Sequence, residues 1–197
     1  MEKDRLAAFS DGVVAIIVTI MVLELKAPHS AEWSALAPLA ATFASYVLSF
    51  VYVAIYWNNH HHLLYAVSRV NGLVLWANMH LLFWLSLLPF ATAWMADNDF
   101  ARAPTILYGV ALLMPAIAYY LLTSVILRAE GPSSTLAGAV GPDVKGKTSI
   151  AVYLCAIAGA YFVSPLLALG LYVAVAIMWF VPDPRIERVV AGSGDQR

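Results

Sequence analysis

Arg5-Leu6-Ala7-Ala8-Phe9-Ser10-Asp11, continuing into Gly12-Val13-Val14-Ala15-Ile16-Ile17-Val18-Thr19-Ile20-Met21-Val22-Leu23-Glu24-Leu25, is the stretch on which the fold turns. An apolar run long enough to enter a membrane opens with an arginine, a serine and an aspartate. Hydrocarbon penalises such groups, so their presence there signals a fixed partner or a pathway. The run predicts a membrane helix over 7–25, ended by Glu24, Lys26 and Pro28, because proline cannot continue a helix. A cleaved secretory signal is disfavoured. Asp4 and Asp11 are acidic where a signal is basic, and Lys26-Ala27-Pro28 interrupts any small-residue cleavage site, so the segment is expected to be retained.

The rest of the chain has the same character. Of 197 residues, 62% are apolar and 12% charged, whereas soluble domains run at roughly 45–50% and about 25%. Mean hydropathy is +0.78. These values describe an all-α polytopic membrane protein. Nothing resembles a nucleic-acid patch. The single cysteine, Cys155, lies in an apolar run and excludes a disulfide framework.

Further segments follow in order. The second is expected over 33–57, its two end tryptophans roughly 36 Å apart and so one at each interface. The polar run Asn58-Asn59-His60-His61-His62 comes next. The third is expected over 71–95, with Asn78 inside it and Pro89 near its far end. The fourth, over 104–127, starts on Pro104 and carries Pro115 at its middle. Residues 128–147 read as a Gly-, Pro- and Ser-rich loop. Residues 148–181 are continuously apolar, about 50 Å as one helix against roughly 30 Å of hydrocarbon. Ser164-Pro165 divides them into two short helices, 148–163 and 166–181. Residues 1–182 are thus one six-helix transmembrane domain, and 183–197 a polar cytoplasmic tail.

Charge supports that count. With six helices and both termini in the cytoplasm, nine of the eleven basic residues lie inside, and only Lys26 and Arg102 outside. Five helices would give six against five. The first pattern is the positive-inside bias of a cytoplasmic-membrane protein.

Several motifs carry little. Gly141-Pro-Asp-Val-Lys-Gly146-Lys147-Thr148 fits a phosphate-loop pattern, but Pro142 removes an amide and no strand precedes it. His60, His61 and His62 point about 100° apart on a helix and do not converge on a metal. No serine, cysteine or carboxylate arrangement suggests catalysis, so the chain does not read as an enzyme. Inside the bilayer Ser10, Asp11, Thr19 and Asn78 stand out. At 100° per residue, Gly12, Ile16, Thr19, Ile20 and Leu23 form one stripe, and Asp11 falls about 140° away from Ile16. That stripe faces either lipid or a pore axis, and periodicity alone does not choose. In both cases Asp11 needs partners, and Arg5, His60 and Asn78 fall on its side of the membrane.

These residues carry a resemblance. Arg5-x-x-x-Phe9-Ser10-Asp11 resembles the signature of the lysosomal potassium channel family, transmembrane protein 175, including its bacterial branch. Trp57-x-x-His60-x-x-Leu63-Leu64 resembles the end of the family's second helix, although an aromatic is commoner where Leu64 stands. Asn78 with Leu88-Pro89-Phe90 resembles its third. The likeness covers residues 5–90; beyond them only length and six-helix layout agree.

The resemblance implies a potassium-preferring cation channel whose pore lies at the centre of a homotetramer, lined by first helices, with K⁺ as permeant ion and no cofactor. It implies a constriction at Ile16, with further rings at Ile20 and Leu23, and a part in selectivity for Thr19. It also implies a structural polar network of Arg5, Phe9, Ser10, Asp11, His60 and Asn78. The rival expectation is a proton-coupled or small-solute transporter using Asp11 and His60. A non-conducting scaffold or pH sensor is a third.

Overall fold

The computed structural model describes residues 3–65, 67, 70–131 and 143–180. All regular structure among them is helical. Helix α1 spans Lys3–Leu23. A 3-10 helix, Trp33–Leu39, leads into α2, Ala40–Tyr65. Then come α3 (Gly72–Ser86), α4 (Leu88–Asp97), α5 (Arg102–Glu130), α6 (Val144–Phe162) and α7 (Pro165–Phe180). The 3-10 helix and α2 make one rod, and α3 and α4 another, so the elements form six rods. Four of these are long and apolar enough to cross a membrane: Lys3–Leu23, Trp33–Tyr65, Gly72–Asp97 and Arg102–Glu130. Helix α7 is apolar but only 16 residues long.

Local chemistry explains the boundaries and where they depart from expectation. The second segment does not stop at Trp57 but runs on to Tyr65. No proline or glycine intervenes, and Asn59 Nδ2 bonds back to the Ile55 carbonyl at 2.8 Å. All three consecutive histidines are therefore helical. The third segment is not one helix over 71–95. It starts at Asn71, whose side chain accepts from the Val74 amide at 2.9 Å. It then breaks at Leu87, because Pro89 has no N–H to continue the ladder. Helix α5 passes unbroken through Pro115 and ends at Gly131, whose φ of +90° suits glycine. Helix α6 begins before residue 148, because Asp143 caps it through the Gly146 amide at 2.8 Å. That bond uses an amide of the phosphate-loop-like stretch; Gly141 and Pro142 lie outside the described residues, as does the tail 183–197. The turn at Val163–Ser164 separates α6 from α7, with Pro165 in the first helical position.

Helix α5 is the central post. It packs against α3, α4, α6 and α7, while α1 packs chiefly on α2, α3 and α4. Four tyrosines, Tyr52, Tyr108, Tyr153 and Tyr172, fill the middle of the bundle. Two of them find backbone acceptors: Tyr52 OH donates to the Tyr172 carbonyl at 2.6 Å and Tyr172 OH to the Thr105 carbonyl at 3.2 Å. Burial without such partners would be costly.

Gly109 makes room for this arrangement. A Cβ there would collide with the Tyr172 hydroxyl and lie 2.8 Å from Ile157 Cγ1. Gly109→Ala is therefore expected to destabilise the protein by about 1–3 kcal/mol, read as an earlier thermal transition in detergent. Gly12→Ala, with nothing within 4 Å of its Cβ, is the control and should cost nothing.

Candidate ion pathway along the first helix

Helix α1 has two unlike faces. Leu6, Ser10, Val14, Ile17 and Met21 are buried, at the three- and four-residue spacing of one helical face. The other face is open. Ile16 is 59% exposed, Ile20 45% and Leu23 74%. Thr19 shares that face, its hydroxyl donating to the Ile16 carbonyl at 2.9 Å. The stripe expected from helical spacing thus lies within the surface that the single chain leaves uncovered. On one flank it meets a groove of about 550 Å³, where Ile16, Ile20 and Glu24 face Ser86, Pro89 and Phe90 across the α3–α4 break.

The buried face is held by a three-helix hydrogen-bond chain. His60 Nε2 lies 2.6 Å from Asn78 Oδ1, Asn78 Nδ2 donates to Ser10 Oγ at 3.0 Å, and Ser10 Oγ donates to the Leu6 carbonyl at 2.9 Å. An amide oxygen only accepts, so His60 carries its hydrogen on Nε2. Each of the three side chains has a partner, which is what burial in an apolar bundle requires. The elements supply the residues directly: Ser10 from the first turns of α1, Asn78 from α3, and His60 from the part of α2 beyond Trp57.

Asp11 stands beside this chain rather than in it. Its Oδ1 accepts from Trp57 Nε1 at 2.9 Å. It borders a groove of about 140 Å³ with Lys3, Asp4, His60, His61 and Tyr65. The Trp57 ring stacks on His61 at 5.7 Å, and Lys3 donates to the Tyr65 carbonyl at 3.4 Å. The structure thus brings Ser10, His60 and Asn78 together and sets Asp11 against Trp57. It does not bring in Arg5 or Phe9. Both are exposed, and Arg5 has no hydrogen bond or ion pair among the described residues. The three histidines diverge into the hydrogen-bond chain, the Trp57 stack and an edge contact on His61. Among the described residues no three His, Cys, Asp or Glu side chains come together as a metal site.

Sequence reading missed Trp57 as the partner of Asp11. The signal was there: an indole N–H only donates, and Trp57 precedes His60 by one helical turn.

The sequence profile of the family described as endosomal/lysosomal potassium channel TMEM175 matches residues 5–89, the span holding the stripe, the hydrogen-bond chain and the α3–α4 break. A potassium channel of Chryseobacterium sp. (strain P1-3) is 53% identical over 188 residues, covering 95% of this chain and 97% of that one. The chain belongs to the TMEM175 family. The crystal structure of a lysosomal potassium-selective channel TMEM175 homolog from Chamaesiphon minutus superposes with a TM-score of 0.79 at 28% identity. It covers 91% of this chain and 97% of that one. The human endosomal/lysosomal proton channel TMEM175 is 32% identical over 116 residues, covering 53% of this chain and 23% of its own length. TMEM175 relatives are ion channels and not enzymes, and this chain is a multi-pass membrane protein of that kind.

Proposed function

We propose that the protein is a potassium-preferring cation channel of the cytoplasmic membrane, conducting along the axis of a homotetramer lined by α1. The observation that carries the reading is the division of α1 into a hydrogen-bonded buried face and an uncovered apolar stripe. A closed ring of identical subunits would turn that stripe inward. Ile16 then forms the narrowest ring, with Ile20 and Leu23 beyond it and Thr19 supplying a carbonyl-linked hydroxyl for selectivity. Rings of this kind stop conduction by dewetting rather than by a filter of carbonyls. Residues 1–182 form the membrane domain with both termini cytoplasmic, as the basic residues favour. Glu24 and Glu32 sit just past the outer end of α1, where negative charge concentrates cations.

The purified protein in planar bilayers is expected to give discrete current steps, with K⁺ passing more readily than Na⁺. Saturating, proton-stoichiometric transport without steps would overturn the proposal. It would favour the transporter reading, which draws on Asp11 and His60 bordering one groove.

A further inference from the structure

A second buried hydrogen-bond chain lies apart from the first. Thr92 Oγ1 donates to the Leu88 carbonyl at 2.7 Å, Ser49 Oγ lies 2.7 Å from Thr92 Oγ1, and Tyr108 OH lies 3.0 Å from Ser49 Oγ. Because the Thr92 hydrogen is already used on Leu88, the direction is fixed: Tyr108 donates to Ser49, Ser49 to Thr92, and Thr92 to Leu88. The chain joins α5 and α2 to the first turn of α4, and it ends one residue before Pro89, at the break in the third rod.

Helix α1 is tied differently. Every hydrogen bond from α1 to another helix, among the described residues, involves Lys3, Ser10 or Asp11. From Gly12 onward α1 is held by packing alone. Its outer half rests on α4: Met21 and Glu24 share a small recess with Thr92, Pro89 and Ala93, and Ile16 and Ile20 face Pro89 and Phe90 across the larger groove. One end of α1 is tethered, and the other leans on a wall to which this second chain is bonded.

We propose that Thr92, Ser49 and Tyr108 are positioning residues for conduction: they hold α4 against the bundle, and α4 sets where the outer half of α1 stands. The inference rests on the reading of the α1 stripe as the conducting surface. Loosening the chain frees α4 at the Leu87–Pro89 break, and the stripe shifts with it. No hydroxyl of the three touches an ion.

The test is single-channel recording of Thr92→Val, which keeps shape and removes the hydroxyl, beside Thr92→Ser, which restores it. Tyr172→Phe deletes a buried hydroxyl bond that does not reach α4 and serves as the comparison, and Ile16→Asn is recorded in the same bilayers. Thr92→Val should change open probability by roughly threefold or more, with Thr92→Ser near wild type and Tyr172→Phe unchanged. Unaltered per-channel behaviour in folded Thr92→Val, or an equal effect from Tyr172→Phe, would overturn the assignment. Should Ile16→Asn also change nothing, the pore reading itself fails. Should only Ile16→Asn respond, the pore stands and the role of Thr92 falls.

Discussion

Ile16→Asn should raise potassium flux per channel by roughly tenfold or more, since one well-placed polar group is worth about 1–3 kcal/mol against an apolar surface and 1.4 kcal/mol is tenfold. The barrier at an apolar constriction is the loss of water from the ion and from the ring. An amide offers a donor and an acceptor to each, and the proposed fourfold ring would present it four times. The substitution is also structurally cheap. Ile16 is on the open face of α1, so little packing is lost. Ile17, one residue on, is buried among the other helices. Ile17→Asn should therefore reduce folded protein without producing a conducting phenotype. Flux through the two variants, normalised to folded protein, separates pore from core. Equal flux in wild type and Ile16→Asn would remove Ile16 from the pathway.

The membrane made part of this fold legible. Bilayer thickness sets helix length, so apolar runs and terminating prolines outlined the rods, and Ser164-Pro165 marked the division of the last two. Polar groups within apolar runs were equally visible, and Ser10, His60 and Asn78 do meet. What the residues did not disclose was pairing. Asp11 suggested a cationic or amide partner, whereas the structure supplies an indole N–H from Trp57, a residue whose sequence context read as an interface anchor. Thr92 was silent for a related reason: a threonine hydroxyl in a membrane helix ordinarily bonds its own preceding carbonyl, as Thr92 does, and nothing in the sequence shows that Ser49 also reaches it. The break at Leu87 was hidden too, because Pro89 read as the approach to a helix end. Helices apolar on nearly every side do not show by hydrophobicity which face meets protein and which meets lipid. The open stripe of α1 needed coordinates.

Asn78→Leu is expected to lower stability by about 1–3 kcal/mol, the cost of leaving the buried His60 Nε2–H without a partner, while Ser10 keeps its bond to the Leu6 carbonyl. Asn78 is the middle of its chain: its oxygen serves His60 Nε2 and its nitrogen serves Ser10 Oγ, and all three residues are buried. Interhelical hydrogen bonds in membranes often contribute less, averaging about 0.6 kcal/mol in one measured protein. The unfolded-in-membrane state finds other partners. Deleting the centre differs from deleting an end, because it removes both bonds at once and leaves the imidazole N–H facing leucine methyls. Ser10→Ala should cost less, since Asn78 keeps His60. The triple replacement Ser10→Ala, Asn78→Leu, His60→Leu should recover much of the loss, because no unpaired polar group remains. Asp11→Asn should cost under about 1 kcal/mol, as an exposed residue that keeps an oxygen for Trp57. Thermal or denaturant unfolding of the detergent-solubilised variants gives the ranking. If Asn78→Leu matches wild type, α1 is seated by packing and its Lys3 and Asp11 bonds, and the Asn78 chain is incidental. If Asn78→Leu is the least stable and the triple variant recovers, the chain fixes the rotation of α1. The same variants should then alter flux, because a turn of α1 that removes Ser10 from its partner would also move Ile16 off the proposed pore axis.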